Sequence, residues 1–288
     1  MAYLCDPVKT NEIIAKYGLH ARKRFGQNFL TDHTIPERLV AAAGITRDDT
    51  VLEIGPGIGT MTQYLAEAAG KVVAVEIDRS LLPILKDTLS GYDNVTVING
   101  DIMKTDIAGI SREYAGGGKL IVAANLPYYI TTPVLLKLLE RDTVASLSSV
   151  TVMVQKEVAD RMRAETGSPD YGSLSLAVQY RAGIKEVCEV PPSSFIPRPA
   201  VNSAVVRLTP SERASVEVKD EDFMFRIIRA AFGQRRKTLV NSVSAGGTGL
   251  SKALISEALE SMGLSQTVRG EVLTLSQFAK LSDILFMR

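Results

Sequence analysis

The chain has 288 residues, of which 45% are hydrophobic and 23% are charged, and its formal net charge at pH 7 is +1. This length accommodates one large α/β domain with a smaller appendage, and the composition is that of an ordinary globular protein. Because the chain as a whole is not a polycation, binding of nucleic acid has to depend on local basic patches. Two such patches occur, at residues 20–24 and 226–237, although each also fits a solvated helix face.

The two cysteines, Cys5 and Cys188, belong to no CxxC pattern, and the histidines do not cluster with them. We therefore expect neither a disulfide framework nor a metal site. The first residues lack the basic segment and apolar run of a signal peptide, and no apolar run reaches the roughly 18 residues of a membrane span. We expect a cytoplasmic protein with no membrane partner, acting as a monomer.

Residues 1–50 are predicted to form a helical lead-in to the main domain. A helix is expected over 35–43, because Asp32 and Thr34 can cap its start and Pro36 suits its first turn. Gly44 is the residue expected to end this helix.

From residue 51 onward, short apolar runs alternate with helical patterns. The runs are rich in β-branched residues and cover 51–54, 72–77, 95–98, 120–124 and 150–154. The helical patterns cover 61–69, 81–89, 133–140 and 156–163. Such alternation indicates an α/β fold, with a parallel sheet covered by helices on both faces. Two later runs, 174–180 and 204–208, could add antiparallel strands at one edge.

The character of the chain changes near Pro210. Residues 211–215 have the composition of a linker, and the patterns at 223–232, 253–262 and 275–286 are helical. We therefore predict a main α/β domain over residues 1–210 and a small all-helical domain over residues 211–288.

A glycine-rich turn follows the first predicted strand of the sheet. Gly55, Gly57 and Gly59 would let the backbone approach a ligand closely before the next helix begins. Glu76 ends the second strand, where a carboxylate can accept hydrogen bonds from two ribose hydroxyls. These features fit a nicotinamide cofactor as well as S-adenosylmethionine (SAM), and they also occur in a plain tight turn.

The ends of the third and fourth predicted strands favour SAM. Asp101 can accept a hydrogen bond from an adenine amino group, with Ile77 or Ile102 as an apolar cover, although an aspartate there could also cap a helix. Asn125 follows the fourth strand. All these side chains are expected at the carboxyl ends of parallel strands, where open α/β sheets bind their ligands.

The turn formed by Asn125, Leu126, Pro127 and Tyr128 suits methylation of an adenine amino group. That nitrogen is a poor nucleophile, but the Asn125 side-chain oxygen and the Leu126 carbonyl can each accept one of its hydrogens and direct it at the methyl donor. Pro127 stiffens the turn, and Tyr128 offers a ring on which a base can stack. No general base is needed, because the proton becomes acidic only after the methyl has arrived.

In four segments the chain resembles the ribosomal RNA adenine N6,N6-dimethyltransferases, above all the bacterial small-subunit type whose loss gives kasugamycin resistance. The segments are QNFL at 27–30, EIGPGIG at 53–59, NLPYYITTP at 125–133 and FIPRPAVNS at 195–203. The resemblance implies a Rossmann-like, SAM-dependent methyltransferase sheet followed by a small C-terminal helical domain.

The resemblance also implies a set of site residues. It places SAM contacts at Asn28, Leu30, Gly55, Glu76, Asp101 and Asn125, to which the reasoning above adds Gly57, Ile77 and Ile102. It implies that Phe195 and Tyr128 sandwich the target base, although Phe195 by itself would be interpreted as a core residue. The basic residues expected to hold RNA phosphates are Arg22, Lys23, Arg24, Arg226, Arg229, Arg235, Arg236 and Lys237.

The substrate implied by the resemblance is the 3′-terminal hairpin of small-subunit rRNA, free or in a pre-30S particle. Each of two adjacent adenines there would receive two methyl groups. A hairpin loop makes the required unstacking of the target base cheaper than a duplex does.

Three alternatives share part of this pattern. Erythromycin-resistance methylases of large-subunit rRNA have all four motifs, but residues 128–133 look more like the small-subunit enzymes. Mitochondrial transcription factor B has the same fold, but no Arg- and Ser-rich presequence opens this chain. A NAD-dependent oxidoreductase has no need of the 125–128 turn, and His20 and His33 lie outside the strand ends where a hydride-transfer acid would sit.

Overall fold

The computed structural model describes residues 3–19, 28–211 and 213–287. The basic stretch with His20, Arg22, Lys23 and Arg24 lies outside these residues, so its contact with RNA stays a prediction. Within the described ranges, no helix combines the length and the apolar character that a membrane crossing needs.

The central sheet confirms the predicted α/β architecture. In chain order the strands are β1 Phe29–Leu30, β2 Thr50–Ile54, β3 Lys71–Glu76, β4 Val95–Asn99, β5 Leu120–Asn125, β6 Leu147–Gln155, β7 Ala182–Val190, β8 Phe195–Ile196 and β9 Ser203–Pro210. Seven of them form one sheet in the spatial order β4-β3-β2-β5-β6-β9-β7. β4, β3, β2, β5 and β6 are parallel to one another, and β9 is antiparallel to β6.

The helices alternate with these strands and then continue alone. They are α1 Pro7–Tyr17, α2 Thr34–Ala43, α3 Thr60–Ala68, α4 Leu82–Thr88, α5 Ile107–Tyr114, α6 Thr131–Leu138, α7 Arg141–Val144, α8 Lys156–Arg163, α9 Ser173–Arg181, α10 Glu221–Gly233, α11 Leu239–Ala245, α12 Lys252–Ser261 and α13 Leu275–Phe286. α2 ends as predicted at Gly44, whose φ of +68° is a conformation that glycine adopts without a steric penalty.

Two predictions about the edge of the sheet have different outcomes. The run at 204–208 is confirmed as part of β9, which pairs with β6 from Ser203 opposite Gln155 to Leu208 opposite Val150. The prediction of a strand at 174–180 is wrong, because these residues form α9. Its side chains are buried around nearly the whole helix circumference, so the sequence shows no helical period there.

The chain divides into two compact units: residues 1–159 with 183–210, and residues 160–182 with 211–288. The second unit contains α9 to α13 and has a core of its own, which includes Met224 and Phe278. The sequence analysis placed residues 160–182 in the first domain, whereas the structure groups them with the C-terminal helices. The reason is that Tyr171 and Tyr180 are buried in the helical core.

In the first unit, a two-stranded ribbon ties the lead-in to the FIPRPAVNS segment. β1 and β8 pair antiparallel, with Leu30 opposite Phe195. The Phe195 ring is 1% exposed and lies in a core cluster with Leu39 and Met153. The structure therefore places Phe195 in the core, which is where the residue considered by itself was expected.

Replacing Phe195 by Ala is expected to destabilise the fold by about 3–5 kcal/mol, since a fully buried aromatic ring leaves a cavity. Denaturant unfolding followed by circular dichroism measures this loss. Val201→Ala is the matched control, because Val201 lies in the same segment but is 45% exposed. An unchanged unfolding midpoint for Phe195→Ala would contradict the burial of this ring.

Candidate active site

A cleft opens at the carboxyl ends of the parallel strands β2 and β5. At this point the strand order reverses, because β3 and β4 lie on one side of β2 whereas β5 and β6 lie on the other. It holds about 1050 Å³ of empty space, part of it open to solvent. Of the residues predicted for the site, the following line this cleft: Asn28, Leu30, Gly55, Gly57, Glu76, Ile77, Asp101, Ile102, Asn125, Leu126, Pro127 and Tyr128. Three of the four motifs, which are far apart in sequence, thus meet in one cleft of the first unit.

The glycine-rich turn between β2 and α3 forms the floor of the cleft. Gly55 and Gly57 have φ values of +70° and +62°, which disfavour any side chain. A Cβ atom on Gly55 would lie 3.6 Å from Cγ of Pro127, so this turn packs directly against the turn that follows β5. Without side chains at Gly55 and Gly57, a ligand in the cleft can approach the backbone of this turn closely.

Glu76, the last residue of β3, is 5% exposed and held by backbone amides. Its Oε2 accepts a hydrogen bond from Gly57 N at 3.3 Å, and its Oε1 accepts one from Asp78 N at 2.7 Å. Burial raises the pKa of this carboxyl above its ordinary range, against the opposing effect of the two amides. Each oxygen keeps acceptor capacity for a further donor, as a pair of ribose hydroxyls requires.

Asp101 and two isoleucines line the next part of the cleft. Asp101 Oδ1 accepts a hydrogen bond from Met103 N at 2.9 Å, which closes a local turn. The cap of the following helix, α5, is instead Asp106, whose side chain accepts from Gly109 N. The alternative role of Asp101 as a helix cap is therefore wrong. Ile77 is 43% exposed and Ile102 is 6% exposed, so Ile77 offers an apolar surface to the cleft.

The turn after β5 presents two oxygen acceptors. Leu126 N donates to Met153 O at 3.1 Å, and Pro127 O accepts from Ile130 N at 3.1 Å and from the Thr131 hydroxyl at 2.9 Å. These bonds fix the turn. In the described part of the chain, no group donates a hydrogen bond to the Asn125 side-chain oxygen or to the Leu126 carbonyl. Both acceptors are therefore available to a ligand amine.

Tyr128 lines the cleft, but Phe195 does not. The Tyr128 hydroxyl lies 2.7 Å from Ser203 Oγ, and burial raises the pKa of the phenol, which is neutral at physiological pH. Phe195 is buried in the core, and its place opposite Tyr128 on the target base stays a prediction. The resemblance alone suggested that arrangement, and the sequence contains no signal that would have singled out Ser203 instead.

Sequence reasoning also missed Glu53, a carboxyl on β2 that lines the same cleft. It is 1% exposed, and its Oε2 has no hydrogen-bond partner among the residues that the structure describes. Burial, reinforced by the nearby charge of Glu76, raises its pKa to about 8. The signal was visible: a charged residue inside an otherwise apolar strand requires a compensating partner.

The predicted phosphate-binding residues of the second unit are all exposed, namely Arg226, Arg229, Arg235, Arg236 and Lys237. They do not form a single basic helix, because α10 ends at Gly233 and the last three follow it in a turn. Arg235 donates to the carbonyl oxygens of Pro169 and Tyr171, so part of its guanidinium is used within the unit.

A family model described as ribosomal RNA adenine dimethylase matches residues 18–281. A ribosomal RNA small subunit methyltransferase A from Lachnoclostridium phytofermentans is 57% identical over 287 residues, covering 99% of this chain and 98% of that protein. Among solved structures, a dimethyladenosine transferase from Plasmodium falciparum is 30% identical with a TM-score of 0.70, over 88% of this chain and 95% of that one. A 23S rRNA methyltransferase, ErmE, is 26% identical with a TM-score of 0.61, over 90% and 100%.

The buried Glu53 predicts a specific pH dependence of stability. Its folded-state pKa of about 8 exceeds its ordinary value of 4.5, so the folded protein binds an extra proton between these values. Stability therefore falls as pH rises through this window. Glu53→Gln removes this contribution. The free energy of unfolding of the variant, relative to that of the wild type, should therefore rise progressively from pH 5 to pH 8.

Denaturant unfolding of both proteins at several pH values tests this. The exposed carboxyl of Glu12, replaced by Gln, is the control, and its curve should stay parallel to that of the wild type. A Glu53→Gln curve that is also parallel would show that Glu53 does not carry the extra proton.

Proposed function

The chain belongs to the ribosomal RNA adenine dimethylase family, and on that premise we propose that it dimethylates N6 of two adjacent adenosines in the 3′-terminal hairpin of small-subunit rRNA during ribosome biogenesis. The observation that carries the proposal is the turn after β5, whose two open oxygen acceptors face the same cleft as Gly55 and Glu76. The relatives named small subunit methyltransferase A support the choice of subunit.

The methyl donor is SAM, as in other members of the family. The cleft residues fit this molecule: the Glu76 carboxylate suits its ribose hydroxyls, Asp101 suits its adenine amino group, and Ile77 can cover the adenine ring. The Glu53 Oε2 has no partner among the described residues and suits a polar group of the cofactor. The bound cofactor supplies an electrophilic methyl group on a sulfonium.

Asn125 and Leu126 are proposed to position the nucleophile. The adenine amino group has two hydrogens, and the Asn125 Oδ1 and Leu126 carbonyl oxygens would each accept one of them. These two hydrogen bonds orient the nitrogen so that its lone pair points toward the methyl group. They also favour the pyramidal geometry that the nitrogen adopts in the transition state. After the first transfer one N–H remains, and either acceptor can hold it for the second.

No ionisable base is part of this proposal. Asn125 is a neutral amide, and the raised pKa of Tyr128 keeps its hydroxyl protonated. The transferred methyl leaves a positive charge on the nitrogen, so its proton becomes acidic enough to pass to water. The residues that matter are therefore those that orient the amine, with Tyr128 stacking on the base.

The substrate is ribosomal RNA, and we propose that the second unit grips its phosphates through Arg226 and Arg229 on α10, aided by Arg236 and Lys237. We further propose a pre-30S particle as the target, a monomeric enzyme, and the cytoplasm as its compartment. A substrate hairpin that is still accessible during assembly would allow the target base to leave its stack.

Large-subunit rRNA is the second candidate substrate, since ErmE is similar along nearly the whole chain. The 57% identity with a small subunit methyltransferase favours the first candidate. The two are separated by transfer of labelled methyl groups to small- and large-subunit particles that lack the modification, followed by mapping of the labelled nucleotides. Label on two adjacent adenines of the small subunit supports the proposal, and label confined to the large subunit refutes it.

Asn125→Ala is expected to reduce methyl transfer at least a hundredfold, because the amine loses an acceptor that orients it in the transition state. SAM binding, measured by isothermal titration calorimetry, should change by less than about threefold, since Glu76 and Asp101 remain. The exposed Asn241, replaced by Ala, is the control. Retained turnover in Asn125→Ala would remove Asn125 from the mechanism.

Charge removal on α10 should weaken RNA binding in a salt-dependent manner. Replacing both Arg226 and Arg229 by Gln is expected to lower the slope of log affinity against log salt concentration by roughly 1 for each lost phosphate contact. Arg112→Gln removes an equally exposed charge from α5 and is the control. An unaltered salt slope in the double variant would show that α10 does not contact phosphates.

A further inference from the structure

The hydroxyl of Tyr128 makes a single contact that links two motifs far apart in the chain. It lies 2.7 Å from the hydroxyl of Ser203, which is 75 residues away in sequence. In the described part of the chain, Ser203 is its hydrogen-bond partner and no second one occurs. The FIPRPAVNS segment is expected to lie opposite Tyr128 through its first residue, Phe195. In the structure it contacts Tyr128 through its last residue, Ser203.

Ser203 is held rigidly on its own side of this contact. It is fully buried at the start of β9 and pairs with Gln155 at the end of β6. Directly beside it, Lys156 N donates to Asn202 O at 2.9 Å. The Ser203 hydroxyl thus projects from a paired strand of the central sheet. Its position is fixed by that strand, so it can hold a partner in place.

The backbone of Tyr128 lies in a turn that is itself held by hydrogen bonds. The two hydrogen bonds to Pro127 O fix the backbone of the turn, but they leave the aromatic side chain free to rotate about its own bonds. A ring that stacks on a base has to lie over it, and the χ1 rotamer of the side chain decides where the ring lies. The contact with Ser203 fixes the far end of the side chain and therefore the direction of its long axis, which sets where the ring lies.

We infer that Ser203 is a positioning residue, which holds the ring of Tyr128 at the place where the target adenine stacks on it. This rests on the proposed function, in which Tyr128 stacks on the base whose amino group faces Asn125.

Ser203→Ala and Tyr128→Phe each remove this hydrogen bond while keeping the strand and the ring. Each is expected to lower the single-turnover rate on unmodified small-subunit particles by about three- to tenfold, the effect of one neutral hydrogen bond. The double variant should be no slower than the slower single variant, because both changes remove the same bond. Ser203→Thr keeps a hydroxyl and should retain most of the rate.

The rate change should appear without a change in cofactor binding or in KM for the particle, since the phosphate contacts and the SAM contacts are untouched. Ser149→Ala is the matched control: Ser149 is a buried serine on β6 whose hydroxyl has no partner in the described residues, and its loss should leave the rate unchanged. Tyr128→Phe leaves β9 intact, so a fall in rate there does not come from a damaged strand.

Three results would overturn the inference while leaving the proposed function in place. They are a wild-type rate for Ser203→Ala in a folded protein, additive losses in the double variant, and a wild-type rate for Tyr128→Phe. A wild-type enzyme that leaves small-subunit particles unmethylated would instead refute the proposed function, and with it the role of Ser203.

Discussion

Parallel pairing of β2 with β3 on one side and with β5 on the other is the constraint on which the site depends. Val51 lies opposite Val72 on one side and opposite Ile121 on the other, so all three strands end at the same edge of the sheet. The side chains at their ends, or directly after them, then have to meet in one cleft. A shift in either register would separate Glu76 or Asn125 from the glycine-rich turn.

The same constraint explains how much could be predicted from the sequence. Apolar, β-branched runs revealed the parallel strands. The polar residues that end or follow these runs could then be predicted to meet, and Glu76, Asp101 and Asn125 do line one cleft. The failures have physical causes as well. The run at 174–180 is a helix buried on nearly every side, which has no apolar period to distinguish it from a strand.

Phe195 and Ser203 show where sequence reasoning stops. Both lie in one recognisable segment, but the sequence does not determine which of its side chains faces the cleft. Antiparallel pairing with Leu30 turns Phe195 into the core, and pairing with Gln155 brings Ser203 to the Tyr128 hydroxyl. These long-range pairings depend on tertiary contacts, as does the burial of Glu53 beside Glu76. In the proposed mechanism, the cleft that results orients an amine by neutral acceptors and needs no ionised base.

The most direct test of this account is a crystal structure of the protein with S-adenosylhomocysteine and an RNA hairpin that contains the target adenosine. We predict that the ribose hydroxyls of the cofactor lie within hydrogen-bond distance of the Glu76 carboxylate. We also predict that N6 of the flipped adenine lies about 2.7–3.2 Å from both Asn125 Oδ1 and the Leu126 carbonyl oxygen. A ribose bound elsewhere, or an N6 that faces another group, would contradict the central claim.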